Sequence, residues 1–268
     1  MIQLAAIQMC SGGDVDTNLA IASSLLEKAA RQGATLALLP ENFALMPATH
    51  AERLKHAESD GEGVIQAMLA ETSRRLGLWV VAGTVALRCP SVQRVRAACL
   101  VFNDRGIRVA RYDKMHLFDA DLGGGERYQE SAVCEPGDAA VVVDAPFGRI
   151  GLSVCYDLRF PELFRRLVEG GATILTVPAA FTVPTGTAHW ESLARARAIE
   201  NTCYVVAAGQ EGRHPDGRVT YGHSMIIDPW GRVVAAEAAG AAVVLAPCEQ
   251  GYLEKVRTQL PSLRHRRF

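Results

Sequence analysis

The chain has no Cys-x-x-Cys pair and no Cys/His pair at zinc spacing, which excludes the common structural zinc modules and the dithiol redox motif. Its seven cysteines, Cys10, Cys89, Cys99, Cys134, Cys155, Cys203 and Cys248, are odd in number, scattered and mostly set in apolar runs. That usage fits a reducing compartment. No apolar stretch approaches the roughly 18 residues that would cross a bilayer, and residues 1–9 lack the basic start and long apolar run of a secretory leader. A cytoplasmic protein is expected. Excess charge of one sign is lacking too: a formal net charge of −1 gives no global attraction to nucleic acid or to an anionic membrane. The expected partner is a small molecule. No Gly/Ser linker, charge block or short repeat divides the 268 residues, so a single domain over residues 1–268 is expected.

What is present is apolar material, 49% of the chain, enough for an extensive core. Short apolar runs at residues 2–9, 34–39, 78–87, 140–143, 149–154, 173–177, 202–208 and 241–246 read as strands. Residues 97–103 and 107–113 flank Asp104-Arg105-Gly106 as a hairpin, and residues 223–227 and 233–237 flank the turn Asp228-Pro229-Trp230-Gly231. Helical spacing recurs from a cap at Asp16 or Thr17 to Gly33, and over residues 62–76, 161–170 and 189–201. Residues 119–137, with Gly123-Gly124-Gly125, and residues 178–188 read as loops. Strands alternating with helices argue for a layered α/β fold, and the rough likeness of the two halves allows two similar layers packed sheet against sheet.

Three polar residues stand where apolar strands end. Cys155 closes the run Gly151-Leu-Ser-Val and is followed at once by a helical pattern, a strand-to-helix turn that lifts a thiol toward helix N–H groups. Glu41 follows a wholly apolar strand through Pro40, and Lys114 follows the hairpin. Taken singly, each has a plainer reading: a buried cysteine is an ordinary core residue and a lone lysine or glutamate an ordinary surface charge. Strand ends in layered α/β folds line a common crevice, so residues remote in sequence can share one site.

Leu-Leu-Pro-Glu41, Tyr-Asp-Lys114-Met-His-Leu-Phe-Asp and Gly-Leu-Ser-Val-Cys155-Tyr-Asp-Leu-Arg-Phe-Pro-Glu resemble the three signature segments of the nitrilase superfamily, the carbon-nitrogen hydrolases, in order and spacing as well as in wording. The resemblance spans nearly the whole chain. It implies a four-layer α-β-β-α sandwich that pairs into a homodimer or larger homo-oligomer, and a Glu41-Lys114-Cys155 triad working without metal or organic cofactor. Free cysteine is only slightly ionised at neutral pH, so a base is needed. Glu41 fits that role, and Lys114 with the backbone N–H after Cys155 fits the stabilisation of a tetrahedral oxyanion. Glu130, in Tyr128-Gln-Glu-Ser, matches the family's additional glutamate and is expected to position Lys114 or the substrate.

Cys155-Tyr-Asp-Leu-Arg is similar to the Nit-type amidases, which favours amide over nitrile cleavage. Residues 189–191, 194–201, 203–208 and 221–231 look most like the deaminated glutathione amidases, with the ω-amidases close behind. Both act on an α-keto-acid amide, so a carboxylate must be held. Arg159 is the candidate clamp, with a structural ion pair to Asp157 or Glu162 as its alternative. Thr185 and Tyr156 are the further substrate-binding candidates. Gly123-Gly124-Gly125 and Met115 depart from the family's usual wording and leave both the acyl-site selectivity and the leaving-group side of the pocket open. Two rival readings stand beside this one: a Cys–His mechanism with His116, His189 or His223 as base, and a thiol redox or binding domain without catalysis.

Overall fold

The computed structural model describes residues 2–123 and 126–267; Gly124 and Gly125 of the triglycine lie outside the described residues. In chain order the strands are β1 (Ile2–Gln8), β2 (Leu36–Leu38), β3 (Trp79–Val81), β4 (Val85–Arg88), β5 (Val95–Phe102), β6 (Arg108–Asp113), β7 (Asp119–Asp121), β8 (Arg127–Gln129) and β9 (Val142–Ala145). They continue with β10 (Gly148–Leu152), β11 (Ile174–Ala179), β12 (Tyr204–Gly209), β13 (Glu211–Arg213), β14 (Val219–Tyr221), β15 (Ser224–Ile227), β16 (Val233–Glu237) and β17 (Ala242–Cys248). The helices are α1 (Val15–Arg31), α2 (His50–Lys55), α3 (Val64–Leu76), α4 (Pro161–Glu169), α5 (Val183–Asn201) and α6 (Gln250–Gln259).

The strands form two large mixed sheets. One runs β17-β1-β2-β3-β5-β4 with β6 added beside β5, and the other runs β16-β15-β12-β11-β10-β9. Each has a parallel trio at its centre, β1-β2-β3 and β10-β11-β12, flanked by antiparallel strands. The period of two in β1 fixes the layers: Leu4 and Ala6 pack toward the second sheet, among Leu152, Val177 and Val206, while Ala5 and Ile7 pack with Leu19, Leu26 and Leu69 of α1 and α3. Leu163, Phe164 and Leu167 of α4 and Trp190, Ala194 and Ala198 of α5 join the core around the second sheet. The architecture is therefore the expected α-β-β-α sandwich.

Several element bounds differ from those expected. The cap of α1 is Asp14, whose carboxylate accepts the Thr17 N–H at 2.8 Å, rather than Asp16 or Thr17. The run 78–87 is broken into β3 and β4 at Gly83, which has φ +48° and whose added Cβ would lie 1.9 Å from the Pro40 carbonyl oxygen. Only glycine allows the chain to turn there so close to Pro40. Helix α5 starts at Val183, six residues before its expected start, because Thr182 caps it and Pro184 suits a first turn; Pro184-Thr185-Gly186 is helix and not loop. The expected loop 119–137 contains the β7–β8 hairpin and a 3-10 turn at Glu130–Ala132.

Candidate active site

The ends of β2, β6 and β10 bring Glu41, Lys114 and Cys155 to one cleft of about 230 Å³, whose lining also includes Glu130. Glu41 is held at its backbone: its carbonyl accepts from Gln210 Nε2 at 3.0 Å, and the next residue, Asn42, donates its N–H to Thr84 Oγ1 at 2.8 Å. Lys114 is buried. Its Nζ donates to Glu41 Oε1 at 2.8 Å and to both oxygens of Glu130, at 2.8 and 3.1 Å. Glu130 in turn accepts the Phe118 N–H at 2.7 Å. One ammonium thus sits between two carboxylates, the arrangement that makes a buried charge tolerable.

The electrostatics follow from this packing. Burial works against the Lys114 charge, but the carboxylates of Glu130 and Glu41 outweigh it and hold the ammonium well above the ordinary lysine range. For Cys155, burial first and the adjacent Glu41 carboxylate second push the thiol well above the ordinary cysteine range, against the opposing pull of Lys114 and the Ala180 N–H. The resting sulfur is a neutral thiol facing a carboxylate.

Cys155 has φ +47°, a left-handed conformation that costs a non-glycine residue about 1–2 kcal/mol. The turn is pinned by Asp157, which is fully buried. Asp157 Oδ2 accepts the Val154 N–H at 2.7 Å and the Tyr112 hydroxyl at 2.6 Å; Oδ1 accepts the His116 N–H at 3.1 Å and lies 2.6 Å from His116 Nδ1. In the sequence Asp157 stands out only as an ion-pair partner for Arg159. Its position two residues after the nucleophile candidate, in the first turn of a helical pattern, was the available signal for a cap.

The three histidines of the rival reading are engaged elsewhere. His116 is bound to Asp157 and stacked on Phe160, His189 Nδ1 meets Arg159 Nη1 at 3.2 Å, and His223 Nδ1 lies 2.7 Å from the Tyr221 carbonyl. Arg159 forms neither of the ion pairs offered as its alternative. Its guanidinium lies over the rings of Tyr156 and Phe181, 5.7 and 5.4 Å from their centroids, in a narrow crevice that Cys155, Tyr156 and Thr185 also line. Thr185, in the first turn of α5, shares a 2.9 Å hydroxyl contact with Thr182. The larger cleft at Cys155 also carries Arg53, Arg127, Tyr128 and Arg218, none of them singled out from sequence because each sits alone in a polar stretch. Among the described residues no group of three or more His, Cys, Asp or Glu side chains is placed to hold a metal ion.

The family model for carbon-nitrogen hydrolases matches residues 3–258. The chain belongs to the carbon-nitrogen hydrolases. Among its relatives, a deaminated glutathione amidase of Yersinia enterocolitica is 42% identical over 99% of this chain and 93% of its own length. The deaminated glutathione amidase of Homo sapiens is 43% identical over 98% of this chain and 82% of its own. The crystal structure of the Caenorhabditis elegans NitFhit protein superposes with a TM-score of 0.92 at 38% identity, over 99% of this chain and 65% of that one. Nit3 of Saccharomyces cerevisiae, a member of branch 10 of the nitrilase superfamily, superposes with a TM-score of 0.90 at 29% identity, covering 100% and 97% of the two chains. The carbon-nitrogen hydrolase fold is thus shared along the whole chain.

Proposed function

We propose that this carbon-nitrogen hydrolase is an amidase that cleaves small α-keto-acid amides through an acyl-enzyme on Cys155, with deaminated glutathione, split to 2-oxoglutarate and Cys-Gly, as its substrate. The observation that carries the chemistry is the buried cluster itself: a neutral thiol beside the Glu41 carboxylate, with Lys114 fixed between Glu41 and Glu130. Because the thiol is not ionised at rest, Glu41 removes its proton as sulfur attacks the amide carbon. Lys114 and the Tyr156 N–H stabilise the oxyanion, and Glu41 returns the proton to the departing amine. Water then enters, Glu41 deprotonates it, and hydrolysis of the thioester frees the acid and the thiol. Glu130 acts through Lys114.

The choice of substrate is supported by the names that the relatives carry and by Arg159 with Thr185 in the crevice beside Cys155, where a guanidinium and a hydroxyl can hold the α-keto carboxylate. Release of Cys-Gly from deaminated glutathione is to be measured against release of ammonia from α-ketoglutaramate. The proposal expects the higher kcat/KM on the former; a clear preference for α-ketoglutaramate makes the enzyme an ω-amidase, and turnover of neither removes the α-keto-acid assignment. A cytoplasmic setting and association with a second copy of the chain are part of the same proposal, and sedimentation at micromolar concentration tests the association. Among the described residues no helix is long and apolar enough to cross a membrane.

A further inference from the structure

Cys155 lines two spaces at once. It lines the narrow crevice of Arg159 and Thr185 and also the 230 Å³ cleft, which shares Arg127, Tyr128 and Arg218 with an outer recess of about 550 Å³. The charge of the inner cleft is not balanced. Lys114 is matched by Glu41 and Glu130, and Arg53, Arg127 and Arg218 meet no further carboxylate among the described residues of the inner cleft; Asp216, 3.3 Å from Arg218 Nη2, and Glu126 stand in the outer recess together with Arg213. Arg53 Nη1 has a neutral partner, Asn42 Oδ1 at 3.3 Å. Arg218 is braced over the Tyr128 ring, 4.9 Å from its centroid, and its buried Nε–H has no acceptor. A buried donor without an acceptor is costly, and a cationic fork beside a cleft is suited to a carboxylate.

We propose that Arg218, with Arg127, forms a leaving-group subsite that binds the carboxylate of an amine leaving as an amino acid or short peptide. The inference rests on the amidase reading of Cys155 and deepens it. With the acyl carboxylate on Arg159 and the amine's carboxylate on Arg218, the preferred substrate is an amide carrying a carboxylate at each end, spanning the sulfur between them. Ammonia as leaving group makes no use of the second subsite. Arg127 and Tyr128 lie on β8, directly before Glu130, so the strand that shapes this subsite also anchors the carboxylate that holds Lys114.

The test uses the leaving-group half alone, so that it does not depend on the acyl group. The wild-type enzyme is treated with iodoacetamide in the presence of alanylglycine or alanylglycinamide, neither of which carries a thiol, and alkylation is read at the Cys155 peptide by mass spectrometry. The acid protects and the carboxamide does not. In Arg218→Met, and in the more exposed Arg127→Met should the first variant fold poorly, the concentration needed for half protection rises about 10- to 150-fold, the range for loss of a charged hydrogen bond. Equal protection by acid and carboxamide, no protection by the acid, or protection that survives both variants but is lost in Arg159→Met would overturn the subsite. Failure of the enzyme on both α-keto-acid amides with protection intact would remove the proposed substrate and leave the subsite standing.

Discussion

At the residue scale the sulfur is placed by strain and its restraint. A cysteine at φ +47° stays there because Asp157 ties Val154, Tyr112 and His116 around the same turn. Asp157→Asn keeps the shape and removes the charge, so the turn loses strength at three donors. We expect a loss of about 2–4 kcal/mol in stability by urea denaturation and a fall in kcat larger than any change in KM. A loss confined to KM would mean that Asp157 does not position the nucleophile. Glu41→Gln removes the proton acceptor that a neutral thiol requires, and kcat should fall by several orders of magnitude, while His116→Asn and His223→Asn lose far less. A dead His116→Asn beside an active Glu41→Gln would restore the Cys–His mechanism. Arg159→Met should lower kcat/KM about 10- to 150-fold for α-keto-acid amides and hardly at all for short-chain amides without a carboxylate; equal losses would give Arg159 a structural role only.

At the element scale, each triad candidate follows a strand, and two of those strands were readable as short apolar runs with a polar residue just past their ends, the third as one arm of a hairpin. The runs ending near Glu41 and Cys155 are apolar throughout or nearly so, whereas the strand before Lys114 was marked by the turn Asp104-Arg105-Gly106. Gly83 was not legible as a break, because a single glycine in a Val-rich run also fits a strand; what decides it is Pro40, 43 residues earlier in the chain and in contact with Gly83 only through the fold. The start of α5 was hidden for another reason: its first turn is Val-Pro-Thr-Gly, small and polar, with Gly186 chosen for its contact with Tyr221 rather than for helix propensity. The arginines of the leaving-group cleft come from a helix and two hairpins, and no local pattern joins them. Gly83→Ala is expected to push against the Pro40 carbonyl and move Glu41 with it. A drop of about 2 kcal/mol or more in stability, with kcat falling further than Tm alone explains, is the predicted outcome; a normal kcat in the folded variant would show that the bend does not set the Glu41 position.

At the scale of the whole molecule, two sheets face each other with helices outside; their core buries Cys99, Cys155, Cys203 and Cys248, and a small separate cluster with Ala57 and Val95 buries Cys134. Burial is the first cause of the raised thiol in every one, to about 11 for Cys134 and Cys203 and about 12 for Cys248, and well above the ordinary range for Cys155. A group whose folded pKa is raised holds its proton longer in the folded state than in the unfolded one. The stability it lends is complete below the unfolded value of about 8.5 and is lost as pH rises from there through the folded value. Urea denaturation should therefore show lower stability at pH 10 than at pH 7.5, and Cys155→Ala should lessen that difference; no alkaline loss would mean the thiols are not buried as described.

The central claim, that Cys155 carries the acyl group of a small α-keto-acid amide with Glu41 as its base, is tested most directly by acid-quenching the wild-type enzyme during turnover of deaminated glutathione and mapping the adduct by peptide mass spectrometry. The account predicts an acyl group on the Cys155 peptide, absent when Glu41→Gln is treated in the same way. An adduct on Cys134 instead, or full turnover in Cys155→Ala while the protein stays folded, would contradict it.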